Sequence, residues 1–126
     1  MTNKNDADVK AIWIHDTNTK YIPTNLGSLF NLTVLRMTST QLVEIKAKDF
    51  HVMQDLQYLN FFENKLSSVP LDVFAKLTKL KYIYLSYNQI EELPNGIFGN
   101  NLEKTSKGTD DNLFSKKFKY CKSCIP

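Results

Sequence analysis

The chain repeats itself every 23 to 24 residues, and this period constrains its fold more tightly than any other property of the sequence. Leu80, Ile83, Leu85, Asn88, Ile90 and Phe98 define the clearest copy. The same offsets one period back hold Leu56, Leu59, Phe61, Asn64, Leu66 and Phe74, and two periods back Leu32, Leu35, Met37, Thr40, Leu42 and Phe50. A fainter copy, shorter by one residue, stands at Val9, Ile12, Ile14, Thr17, Thr19, Ile22 and Leu26. The next copy fails, because Lys104, Lys107 and Thr109 fall on apolar positions. Residues 9–103 are therefore read as a repeat domain of about four units. Residues 1–8 are expected to form a disordered lead-in, and residues 104–126 an irregular basic tail or incomplete cap.

Within a unit the spacing separates strand from helix. Leu80, Ile83 and Leu85 cannot share one face of a helix that stops at Pro94, whereas Ile83 and Leu85 share one face of a short strand. Strands are expected at about 10–14, 33–37, 57–61 and 81–85. One unit cannot bury its own apolar face, so stacked neighbours must supply the core. Asn64 and Asn88 follow their strands where the chain turns inward, with amides suited to backbone groups that the bend leaves unpaired. Thr17 and Thr40 can satisfy fewer such groups, so looser first turns are expected. In the second half of each unit Leu26, Phe50, Phe74 and Phe98 form a column, followed at a spacing of three by Leu29, Met53 and Leu77. This predicts a packed apolar edge with 3₁₀ or short helical turns, kept short by Pro70 and Pro94.

The offsets from Leu80 to Phe98 and from Leu56 to Phe74 resemble the 24-residue type of the leucine-rich repeat family. The resemblance covers about three quarters of the chain. It implies an α/β solenoid with a short parallel sheet on the concave face and an irregular, 3₁₀ or short helical convex side. It also implies protein recognition, without naming the partner, and an extracellular or cell-surface location. Met1 to Lys10 is polar and does not read as a signal peptide, which leaves the compartment open. The cysteine-bearing caps of extracellular members are at most half present here: Cys121 and Cys124 are read as an incomplete cap, a local disulfide or two free thiols. Asn31-Leu32-Thr33 is an acceptor sequence for N-glycosylation, which requires secretion.

Strand alternation then sends a defined set of side chains to the concave face. Its columns are Ala11, Val34, Tyr58 and Tyr82; Trp13, Arg36, Asn60 and Tyr84; and His15, Thr38, Phe62 and Ser86. Trp13, Arg36, Tyr58, Asn60, Phe62, Tyr82 and Tyr84 are the candidate binding residues, since aromatics with a neighbouring arginine are enriched at protein-binding hot spots. The competing reading is a structural or spacer fragment of a longer solenoid, in which the same side chains only pack across strands.

Other functions find little support. His15 and His51 belong to different faces, and no serine or threonine has a base beside it, so neither a metal site, a cofactor nor an enzyme activity is expected. Residues 1–102 carry ten basic and ten acidic side chains; the missing basic stripe argues against nucleic acid as a partner. The excess of three positive charges lies in residues 103–126, where Lys116 to Lys122 offers at most weak contact with an acidic surface. No apolar run approaches the roughly 18 to 20 residues of a membrane span.

Overall fold

The computed structural model describes residues 6–94 and 97 of the chain. Four short strands, β1 (Ala11–His15), β2 (Val34–Thr38), β3 (Tyr58–Asn60) and β4 (Tyr82–Tyr84), form one parallel sheet in the order β1-β2-β3-β4. Parallel neighbours need a crossover, and each repeat supplies one in its second half. The strands begin one residue later than the spacing predicts, but the register is the predicted one. Ile12, Leu35, Leu59 and Ile83 stand side by side, as do Trp13, Arg36, Asn60 and Tyr84.

The inward residues of this register make the core. Leu35, Leu59 and Ile83 are fully buried, while Ile12 and Ile14 at the open end of the sheet are only half-buried. Behind the sheet the Phe50 ring lies 6.3 Å from Phe61 and 6.2 Å from Phe74, so Phe50 joins the next ring of its column to the strand side of the core. Leu29, Met53 and Leu77 are buried beneath it. The convex connections are the 3₁₀ turns Thr24–Ser28 and Ala47–Phe50 and a run of turns at residues 71–76. In the second of these the Asp49 carboxylate accepts the backbone N–H of Lys46, the residue that caps the turn, at 2.8 Å.

The sharp bend after each strand has two components. Asp16, Ser39, Glu63 and Tyr87, spaced as the repeats are, all adopt left-handed backbone angles, with φ of 52, 55, 57 and 60°. The residue after each is the polar one. Asn64 is buried, and its oxygen accepts the backbone N–H groups of Thr40 and Leu42 while its amide donates to the Met37 and Phe61 carbonyls. Asn88 repeats this one unit on, accepting Leu66 N–H at 2.9 Å and donating to Phe61 and Leu85. Each asparagine therefore closes the preceding turn as well as its own. The second turn is not loose as expected: Thr40 is fully buried and its hydroxyl donates to Asn64. Thr17 is exposed and its hydroxyl meets that of Thr19, at 2.7 Å.

Asp6–Asp8 forms a single 3₁₀ turn inside the segment read as a disordered lead-in, and Asn31 holds it by donating to the Ala7 carbonyl at 3.0 Å. Phe98, the basic tail, Cys121 and Cys124 lie outside the described residues.

Candidate binding surface on the concave face

The sheet brings the candidate residues into one ribbon because neighbouring strands are about 4.8 Å apart and their outward side chains stand in register. The Arg36 guanidinium lies 6.0 Å from the Trp13 ring centre and 5.1 Å from that of Tyr58, between the two planes. Among the described residues no carboxylate pairs with it. Tyr58 in turn packs against Tyr84 at 5.3 Å and Tyr82 at 6.4 Å. Trp13 is 62% exposed and Tyr82 45%, whereas Tyr58 and Tyr84 support each other and are half-buried. The Tyr84 phenol titrates above its usual 10.0 because burial disfavours the anion, with Tyr58 and Tyr82 adding to the shift and Arg36 opposing it.

Some outward positions do other work. Thr38 is 6% exposed, roofed by the strand before it: its hydroxyl accepts the Trp13 indole N–H at 2.9 Å and meets His15 Nδ1 at 2.8 Å. The other His15 nitrogen lies 3.1 Å from the Asp16 carboxylate, so Trp13, Thr38, His15 and Asp16 form one polar chain at the sheet's end. Asn60 uses its oxygen to accept the Phe62 backbone N–H at 2.9 Å. Phe62 is met edge-on by Tyr87 at 5.1 Å, and Tyr87 is 44% exposed. Alternation places His15 on the concave face but not among the candidate binding residues, and Tyr87 in neither group. The aromatic set itself signals Tyr87 only if the left-handed turn before Asn88 is known.

Charge is distributed along the two rims of this face. The residues just before the strands are Lys10, Thr33, Gln57 and Lys81, and those in the bend that follows each strand are Asp16, Ser39, Glu63 and Tyr87. One rim is therefore basic and the other acidic, with Arg36 the one fixed charge among the outward strand positions. Among the described residues no group of three or more His, Cys, Asp or Glu side chains could hold a metal ion, and no helix is long and apolar enough to cross a membrane.

Residues 30–90 match the leucine rich repeat family, over the repeats whose register is described above. The chain belongs to the leucine-rich repeat family. Osteomodulin of Rattus norvegicus is 44% identical over 34% of this chain, and that of Mus musculus 30% identical over 61%. Among solved structures, the Toll–Spätzle complex of Drosophila superposes on 75% of this leucine-rich repeat chain with a TM-score of 0.70 at 28% identity. A TLR13–ssRNA13 complex superposes on 71% with a TM-score of 0.58 at 29% identity. The chain spans 10% and 24% of the lengths of the two osteomodulins, and 13% and 12% of the two solved chains.

The TLR13 structure corrects one expectation. Nucleic acid is not excluded by the missing basic stripe, since a leucine-rich repeat protein of this similarity stands in a complex with RNA. Net charge gauges only the attraction of phosphates; aromatic planes and guanidinium groups stack on bases without a stripe of lysines.

Proposed function

We propose that this leucine-rich repeat unit is a non-enzymatic protein-binding module that works through its concave face, outside the cell or at its surface. The observation that carries the reading is the ribbon Trp13, Arg36, Tyr58, Tyr82 and Tyr84. It is a guanidinium held between two aromatic rings and continued by two more, on a rigid sheet, partly exposed and without a carboxylate partner among the described residues. Preordered aromatic and arginine side chains lose little conformational freedom on binding, which suits them to anchor a partner. Likeness to Toll, found in complex with Spätzle, supports a protein as that partner. Likeness to osteomodulin and Toll supports the location.

The test is comparative affinity capture from extracellular fluid with the parent chain, Arg36→Ala, Tyr82→Ala and the convex-side His51→Ala as baits. Proteins held by the parent and His51→Ala but released by both concave variants support the proposal. Retention indifferent to Arg36 and Tyr82 would leave the spacer reading in its place.

A further inference from the structure

Arg36 stands on β2, with a paired strand on either side, so its neighbours are set by the interior of the sheet. Its guanidinium is exposed, 6.0 Å from the Trp13 ring centre and 5.1 Å from that of Tyr58. Contacts of this kind cover the faces of the guanidinium and hold its plane, but the N–H donors lie in that plane and leave from its edge. Among the described residues no carboxylate takes them. The row of Arg36 continues through Asn60 to Tyr84, whose ring packs with that of Tyr58 at 5.3 Å, and Tyr82 adds a third ring at 6.4 Å from Tyr58. A held cationic fork therefore stands two strands from an aromatic shelf.

We infer that Arg36 is the position at which this face reads an acidic residue of its protein partner. The occupant is an extended segment that crosses the strands, with an aspartate or glutamate carboxylate on Arg36 and an apolar side chain on Tyr82 and Tyr84. This rests on the concave-face reading proposed above and names the chemistry that the face selects. A planar carboxylate meets a guanidinium edge with two parallel hydrogen bonds, and its single charge matches the one fixed charge of the outward strand positions. Arg36 to Tyr84 spans two strand spacings, about 10 Å, and an extended chain advances about 3.3 Å per residue, which puts acid and apolar anchor three residues apart. The rim argues against a polyanion in the same place. Asp16 and Glu63 lie three residues along the strands from this row, roughly 10 Å, which is about one screening length in 0.1 M salt. Glu63 is held there by the Ser39 hydroxyl, which donates to it. A string of phosphates on the ribbon would run beside fixed negative charge, whereas one acid among apolar neighbours does not.

Selection of a random peptide display library on the immobilised full chain tests this, followed by calorimetry on the enriched peptides in synthetic form. The expected peptides carry aspartate or glutamate at one fixed position and an apolar or aromatic residue three positions from it. Arg36→Gln should weaken them by about thirtyfold, as should replacing the peptide's acid with its amide, and both changes together should cost little more than either alone. Arg36→Lys should recover only part of the loss, since an ammonium lacks the fork. Circular dichroism verifies that each variant is folded. An Arg36 that merely props Trp13 and Tyr58 would on removal weaken acid and amide peptides alike, and that result overturns the inference. So does a library without a preferred acid or without any binder that depends on Arg36. If the selected peptides then still lose about tenfold with Tyr82→Ala, only the acid reading falls; if they ignore Tyr82→Ala as well, the concave-face reading falls with it. A single-stranded RNA of mixed sequence that binds through Arg36 more tightly than every selected peptide would also overturn the inference, by putting nucleic acid in the partner's place.

Discussion

The Asn64 side-chain oxygen accepts both the backbone N–H and the hydroxyl of Thr40, at 2.9 and 2.7 Å, so an amide from one repeat closes the turn of the repeat before it. Its nitrogen donates across the same boundary to Met37, at 2.7 Å. Asn64→Ala strands several buried backbone groups at once and should cost about 3 kcal/mol or more, since each unpaired group costs on the order of 1–3 kcal/mol. Thr40→Val removes one hydroxyl donor and leaves the ladder standing, for a loss of about 1 kcal/mol. Urea unfolding of both variants measures the contrast, and equal losses would remove Asn64 from its bridging role.

Core truncation acts through volume. Leu59 and Phe74 are fully buried; Leu59 stands between Leu35 and Ile83 of the neighbouring strands, and the Phe74 ring lies 6.2 Å from Phe50 of the preceding repeat. Leu59→Ala and Phe74→Ala should each lower stability by roughly 2–5 kcal/mol. A loss below about 0.5 kcal/mol by thermal or urea unfolding would be incompatible with a continuous stack.

The register of the sheet was legible because a fixed period carries every strand to the same offset, so Leu59 beside Ile83 follows once Leu56 and Leu80 are aligned. Which outward side chains remain free was less legible. Alternation counts Thr38 as outward, but Trp13 and His15 close over it from the preceding strand, a contact between residues 23 to 25 apart that no local pattern announces. Asn60 is short enough to turn back on the Phe62 amide. Tyr87 reaches Phe62 through a left-handed turn whose four positions hold Asp, Ser, Glu and Tyr, none of them the glycine that would have marked it.

The tyrosine cluster has a measurable acid–base consequence. Burial, then the neighbouring Tyr58 and Tyr82, raise the Tyr84 phenol above 10.0, and Arg36 works against them. A raised phenol favours the neutral form in the folded state, so stability is unaffected below the unfolded value and falls as pH rises through and beyond 10.0, where the unfolded chain releases the proton first. Ultraviolet titration should show one tyrosine titrating late, and Arg36→Gln should delay it further. A Tyr84→Phe variant that leaves the late component in place would assign it elsewhere.

Binding and folding should separate on adjacent residues of one repeat. Tyr82 and Tyr84 point to the concave face, the former 45% exposed, while Leu85 is fully buried. Tyr82→Ala removes mainly exposed surface and should change stability by no more than about 0.5 kcal/mol. Tyr84→Ala also removes the ring packed on Tyr58 and should cost about 1 kcal/mol. Either truncation should nevertheless weaken a concave-face partner by about 2 kcal/mol or more, because anchors in an ordered aromatic ribbon carry a disproportionate share of binding. Leu85→Ala should reverse the order, lowering stability by roughly 2–5 kcal/mol and affecting affinity only through the folded fraction. Calorimetric affinities set against urea midpoints for the three variants resolve the two effects. A partner that binds Tyr82→Ala and Tyr84→Ala as tightly as the parent, yet loses affinity with His51→Ala, would place the binding surface on the convex side.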